Sequence, residues 1–203
     1  MELSIKNDKL IGHFQAERDM VALRSENMED PKVRAWSMDH PETMLYGYLD
    51  SFLEICEANQ IEFDLTYKTI ENLGMGLVAL YQVQKKVYDQ QKNAEIVIKT
   101  LAAVLSYLAI NEHACWFRTT SYLAQVKAGK APKQPLWADV LSIAVGRKNK
   151  YMDLLAAAKE AVTPGSVMSP NGLSIQPAAI IAEYKKLTGV DLAEYGIANV
   201  FMN

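Results

Sequence analysis

The sequence predicts an all-α fold, an irregular helical bundle built around a long antiparallel helix hairpin. Hydrophobic residues recur at helical spacing through most of the 203 residues, and half of all residues are hydrophobic. No alternating stretch is long enough to indicate a sheet. Residues 96–110 include twelve apolar residues in fifteen, which is typical of the central helix in a bundle.

A short helix is predicted near the amino terminus, and a second one follows a proline. The first runs from about residue 7 to residue 27 on a thin apolar stripe. The second begins at the Asp-His-Pro-Glu sequence of residues 39–42, because proline fits the first helical turn and an acid stabilises it. Apolar positions then recur at i, i+3, i+4 and i+7 over residues 45–56.

The two arms of the predicted helix hairpin span about residues 66–91 and 94–128. A turn at residues 91–93 joins them, and arms of this length are expected to pack antiparallel. Gly129 ends the second arm, because glycine readily adopts the left-handed conformation found after a helix.

The rest of the chain is predicted as one long helix, a loop and two short helices. Residues 136–162 form the long helix, which Gly146 weakens in the middle and a Thr-Pro-Gly sequence ends. Residues 166–174 contain proline, asparagine and glycine, which is typical of a surface loop. A short helix over residues 177–188 and a last turn or two after Asp191 complete the chain.

Length and composition favour one soluble unit with a small addition. We expect a helical-bundle domain over residues 1–165, and a loop with short helices over residues 166–203, either as an appendage or as part of that domain. The first residues lack the apolar stretch of a signal peptide. The apolar segment 96–110 is shorter than the ~20 residues of a membrane span. The expected location is the cytoplasm, without membrane contact.

Charged residues are distributed unevenly along the chain. Residues 1–71 contain fifteen acids and seven bases, a net charge of −8. Residues 84–150 contain eleven bases and four acids, a net charge of +7, and residues 151–203 have a net charge of −2. This asymmetry favours contact with a charged partner, which includes another copy of the same chain.

The sequence contains no motif that indicates catalysis, a cofactor or a metal. Residues 74–79 have the letters of a dinucleotide-binding loop, but no predicted strand precedes them. We therefore expect Gly74 and Gly76 to let a neighbouring helix approach closely. None of the three histidines has the spacing of a zinc or di-iron site. The prediction is no catalytic residue, no cofactor and no metal.

Glu112 and His113 interrupt the most apolar helix and have two interpretations. A carboxylate on an apolar stripe must be paired, protonated or at the edge of the bundle. The first interpretation is an acid or a pH-sensing histidine in a cavity, which would suit an enzyme. The second is a polar network that fixes helix register, or the point where the helix leaves the core.

A basic block over residues 118–150 is the strongest candidate binding surface in the sequence. It contains seven bases and one acid. The candidate contact residues are Lys127, Lys130, Lys133, Trp137, Arg147, Lys148 and Lys150. They could neutralise nucleic-acid phosphates, with Trp137 stacking on a base. They also suit a protein partner, or a solvated surface, which is what most charge runs are.

The sequence therefore predicts a non-enzymatic protein that acts through protein–protein contacts. We expect an assembly or adaptor subunit, of the kind found in viral particles and other multi-subunit complexes. The acidic first third and an apolar tail with Tyr195, Val200 and Phe201 would engage a neighbour or a second copy. The alternative is a nucleic-acid-binding accessory protein that uses residues 118–150.

Overall fold

The computed structural model describes residues 42–113, 115–117, 144–147, 150–166 and 169–202. Within these ranges the fold is mixed α/β, because six strands form two antiparallel sheets beside five α-helices. The prediction of an all-α fold is therefore wrong.

The elements follow one another in an order that begins with helices and ends with a strand. They are α1 (Glu42–Ala58), a first 3₁₀ helix (Tyr67–Asn72), α2 (Leu73–Gln84), α3 (Gln90–His113), β1 (Trp116–Phe117), β2 (Ala144–Arg147), β3 (Lys150–Asp153), α4 (Leu154–Ala161), β4 (Val162–Ser166), β5 (Ser169–Ile175), α5 (Ala178–Thr188), a second 3₁₀ helix (Leu192–Tyr195) and β6 (Val200–Met202).

The predicted helix hairpin is shorter and less regular than expected. The arm expected over residues 66–91 divides into the first 3₁₀ helix, α2 and a short turn. The turn ends where the Asp89 carboxylate accepts the Lys92 backbone N–H at 2.8 Å, which caps the start of α3. In the arm expected over residues 94–128, the helix ends at His113.

The two sheets lie where the sequence predicted helices and a loop. One sheet has the strand order β1-β2-β3 and the other β4-β5-β6. β2 and β3 fall within the predicted helix of residues 136–162, β5 largely within the predicted loop of residues 166–174, and β6 where the last helix was expected. Helical spacing could not exclude these strands, because short apolar runs are ambiguous and strand partners lie far along the chain.

The hairpin of β4 and β5 is held against the helices by its backbone. Gly165 has a φ of +61°, which favours glycine at the irregular point of this ladder. The Tyr81 hydroxyl donates to the Asn171 carbonyl at 3.2 Å, and the Gln90 amide donates to the Gly172 carbonyl at 2.8 Å. These turn-forming residues therefore belong to a strand that packs near α2 and α3.

Predictions for the short elements near the carboxyl terminus are confirmed in part. α5 ends at Thr188, and Gly189 follows with a left-handed φ of +85°. The Asp191 carboxylate accepts the Ala193 backbone N–H at 3.1 Å and starts the second 3₁₀ helix. The domain boundary at residue 165 stays a prediction.

The core is organised around α3, as its apolar composition predicted. All eleven residues from 100 to 110 are buried, and α1, α2, α4 and β4 pack against this helix. Among the described residues, α3 is the one helix with the length and hydropathy of a membrane span, but 78% of its most apolar stretch is buried inside the protein. Core helices have the same property, and the cytoplasmic location stays a prediction.

Candidate functional site

The predicted basic surface lies mostly outside the described residues. This applies to Lys127, Lys130, Lys133, Trp137 and Lys148. Arg147 and Lys150 are described as backbone positions that oppose each other in the last pair of the β2–β3 ladder. The ladder therefore brings two of the seven candidate residues together, and the binding role of the block stays a prediction.

Glu112 and His113 form the end of α3, where the helix leaves the core. Glu112 is exposed, and the Asn111 amide donates to its carboxylate at 3.0 Å. His113 is half-buried, and its Nε2 lies 2.8 Å from the Tyr67 hydroxyl. That hydroxyl lies 2.7 Å from the hydroxyl of Tyr184, which is fully buried. This arrangement fits the second interpretation, a polar network at the point where the helix emerges.

The hydroxyls of this network are protonated at neutral pH. Burial raises the pKa of Tyr184 and that of Tyr67 above the ordinary tyrosine value. The Tyr195 ring packs against the Tyr67 ring with centroids 5.1 Å apart. The network therefore connects the end of α3 to α5 and to both 3₁₀ helices, and its role is structural.

A groove of about 300 Å³ runs between α1, α2 and α3, but its lysines are already paired. The mostly buried Lys99 forms a 2.6 Å ion pair with Glu95, and Lys92 approaches the same carboxylate at 3.4 Å. The hydrogen bond from Lys99 lowers the pKa of Glu95. An anionic ligand would have to compete with Glu95. In the described ranges, no group of three or more His, Cys, Asp or Glu side chains could hold a metal ion.

Gly74 and Gly76 serve packing in the structure. A side-chain carbon added at Gly76 would lie 2.6 Å from Phe52 Cζ and 2.9 Å from Cys56 Sγ, both on α1. The predicted close approach of a helix is therefore confirmed at Gly76. At Gly74 the neighbour is strand β6, since an added carbon would lie 2.7 Å from Val200 Cγ2. The residues that match the dinucleotide-binding pattern thus form a buried packing contact.

The solvent-facing side of α2 carries no charge and exposes apolar side chains, which is unusual for a helix at the surface. None of its twelve residues carries a charge. Its inner side is buried through Leu73, Gly76, Leu77, Leu80 and Tyr81. The opposite side, the α2 outer face, consists of Met75, Val78, Ala79, Gln82 and Val83, which recur at helical spacing. Val78 and Ala79 are half-buried, and Val78 also packs against the core. Met75 is 55% exposed and Val83 41% exposed.

Charged residues lie beyond each end of the α2 outer face. Glu71 is exposed in the first 3₁₀ helix, and Lys85 and Lys86 are exposed after the last turn of α2. Within the described chain, none of these three makes an ion pair, although Lys85 Nζ lies 5.8 Å from the Tyr81 ring centroid. Val87, which follows, is 72% exposed. The face is thus uncharged and largely apolar in its middle, with charges of opposite sign beyond its two ends.

The chain shows no match to known proteins. No protein-family model, no curated protein and no solved structure matches it.

The sequence contains a signal for the α2 outer face. Net charges summed over long segments of the chain do not reveal it. Residues 72–83 contain no charged residue, between the acidic first third and the basic middle of the chain. Helical spacing predicts an inward side for the arm over residues 66–91 that uses Tyr67, Ile70, Leu73, Leu77, Tyr81 and Tyr88. Ile70, Leu73, Leu77 and Tyr81 are buried, as predicted, whereas Tyr88 is 43% exposed. The same spacing places Met75 and Val83 on the opposite side, where polar residues are normally found.

Proposed function

We propose that this protein acts by binding another protein through the α2 outer face, as an assembly or adaptor subunit. The observation that carries the proposal is the exposure of Met75 and Val83 on a surface helix without a charged residue. The exposed side of a surface helix normally carries charged and polar residues. The other described elements cover one side of α2, and the proposed partner covers the opposite side.

The size of the apolar side chains supports this proposal. Burial of a valine or methionine side chain contributes roughly 1.5–3 kcal/mol relative to full exposure. Met75, Val83 and Val87 are each more than two-fifths exposed, so contact with a partner would recover much of this energy. Contiguous exposed apolar residues with polar ends are typical of protein interaction sites.

The other candidate sites support a function less well. The His113 network is occupied by internal hydrogen bonds, and the groove lysines share Glu95. The nucleic-acid alternative depends on residues 118–150, most of which lie outside the described ranges. Protein binding is therefore the function that the described side chains favour.

Site-specific photo-crosslinking tests the proposal. A benzophenone amino acid is placed at Met75, or at Ala182 on α5 as an exposed control, in cells that produce the full chain. We expect a discrete cross-linked protein at position 75 and none at position 182. A benzophenone at Val83 should give the same cross-linked protein. That product should be lost when the chain also carries Met75→Glu. No product at position 75, or equal products at both positions, would contradict the proposal.

A further inference from the structure

We infer that the partner on the α2 outer face is a second copy of this chain, with the two α2 helices antiparallel about a two-fold axis near Ala79. This inference rests on the proposed function and names its partner. A two-fold interface uses the same patch on both subunits, so each residue must suit its symmetric counterpart. The α2 outer face meets this condition in hydropathy and charge.

The apolar residues are arranged symmetrically about Ala79. Met75 lies four residues before it and Val83 four residues after it. An antiparallel pair therefore places Met75 of one copy opposite Val83 of the other, twice. The small side chain of Ala79 at the centre allows the two helices to approach at a normal packing distance, with the larger residues on either side.

Charged residues of opposite sign lie near the two ends of this face, within one residue of the same symmetry. Glu71 lies eight residues before Ala79, and Lys86 lies seven residues after it. Antiparallel packing brings Glu71 of each copy to Lys86 of the other, at both ends of the contact. Both side chains are exposed and make no ion pair within the described chain. This charge complementarity of the face with itself favours a second copy over an unrelated protein.

The ion pairs and the apolar contacts have different roles in this interface. Exposed ion pairs add little affinity but suppress wrong orientations, since like charges would meet if the helices were parallel. The apolar middle supplies the affinity through burial. Antiparallel packing also places the positive end of each helix near the negative end of the other.

Sedimentation equilibrium of the full chain with charge-reversal variants tests the inference. The wild type should increase in mass with concentration from 22.7 kDa toward twice that value. Glu71→Lys and Lys86→Glu should each weaken the dimer by about tenfold or more, since each creates two like-charge contacts. The double variant should restore the wild-type affinity, because the charges are exchanged across the interface. Glu54→Lys, at an exposed acid of α1, is the matched control and should change nothing.

The outcomes separate this inference from the proposed function. A wild-type mass of 22.7 kDa at every concentration, together with a cross-linked protein of a different sequence at position 75, would overturn the second copy but support the proposed function. A dimer that neither single variant weakens would overturn the inference, because its interface lies elsewhere. Weakening in both single variants with recovery in the double variant supports the inference.

Discussion

The Tyr184 hydroxyl has one hydrogen-bond partner in the described chain, the Tyr67 hydroxyl at 2.7 Å. Because Tyr184 is fully buried, we expect its proton to be donated to the Tyr67 oxygen. Tyr67 would then donate its own proton to His113 Nε2, 2.8 Å away. In this order of hydrogen bonds a neutral His113 carries its proton on Nδ1.

The first prediction is the tautomer of His113. Imidazole ¹⁵N shifts measured at about pH 8, above the ordinary histidine pKa, should show a protonated Nδ1 and an unprotonated Nε2. Free histidine in water prefers the opposite tautomer, so the result is informative. In a Tyr67→Phe variant the constraint on Nε2 is removed and the Nε2–H form should increase. A proton on Nε2 in the wild type would show that the proposed order of hydrogen bonds is wrong.

The second prediction concerns alkaline pH. Burial raises the pKa of Tyr184 above that of an unfolded tyrosine, about 10. The folded protein therefore holds this proton more tightly, so stability is retained below about pH 10 and lost above it, by up to about 1.4 kcal/mol per pH unit for this residue. Urea unfolding at several pH values from 8 to 11 should give a shallower alkaline loss for Tyr184→Phe than for the wild type.

The same two proteins at pH 6 to 8 provide the control for this measurement. Their stabilities should change with pH in parallel there, because neither the folded nor the unfolded chain releases the Tyr184 proton well below pH 10. Burial also raises the pKa of Tyr107 to about 12, so some alkaline loss should remain in every variant. Equal slopes in Tyr184→Phe and the wild type would contradict the role of the buried hydroxyl.

The third prediction compares two helical glycines. Gly76→Ala should destabilise the protein by about 1–3 kcal/mol, because the new carbon would overlap Phe52 and Cys56. Gly47→Ala should instead stabilise it by about 0.5–1 kcal/mol, because nothing lies within 4 Å of that position and alanine favours a helix. Urea unfolding of the two variants checks both signs. A neutral Gly76→Ala would mean that α1 and α2 can separate without cost.

The sequence was sufficient to predict the elements whose signals are local. The twelve apolar residues of segment 96–110 identified the central helix, and the pair Gly189 and Asp191 identified the end of α5 and the start of the second 3₁₀ helix. These signals act within a few residues, through caps and a continuous apolar run. Element type and position can be read from them without knowledge of the tertiary structure.

The strands could not be predicted, because their evidence is not local. β5 exists as a strand because Leu173 pairs with Pro164 on one side and with Met202 on the other. Its own residues, which include Pro170 and Gly172, favour turns. The candidate site could not be predicted in full from the sequence either. The lack of charge in α2 and the buried side through Leu77 and Tyr81 are visible in the sequence, but only the structure shows that Met75 and Val83 stay exposed beside the other described elements.

The central claim, that a second copy covers the α2 outer face, is tested most directly by a cysteine at position 79. Native Cys56 and Cys115 are buried, and burial raises the pKa of the Cys56 thiol to about 11, so neither should react readily. Under mild oxidation the full-length Ala79→Cys variant should give a disulfide-linked product of twice 22.7 kDa, while Ala182→Cys on α5 should not. An Ala79→Cys protein that stays at 22.7 kDa, or equal cross-linking of both variants, would contradict the account.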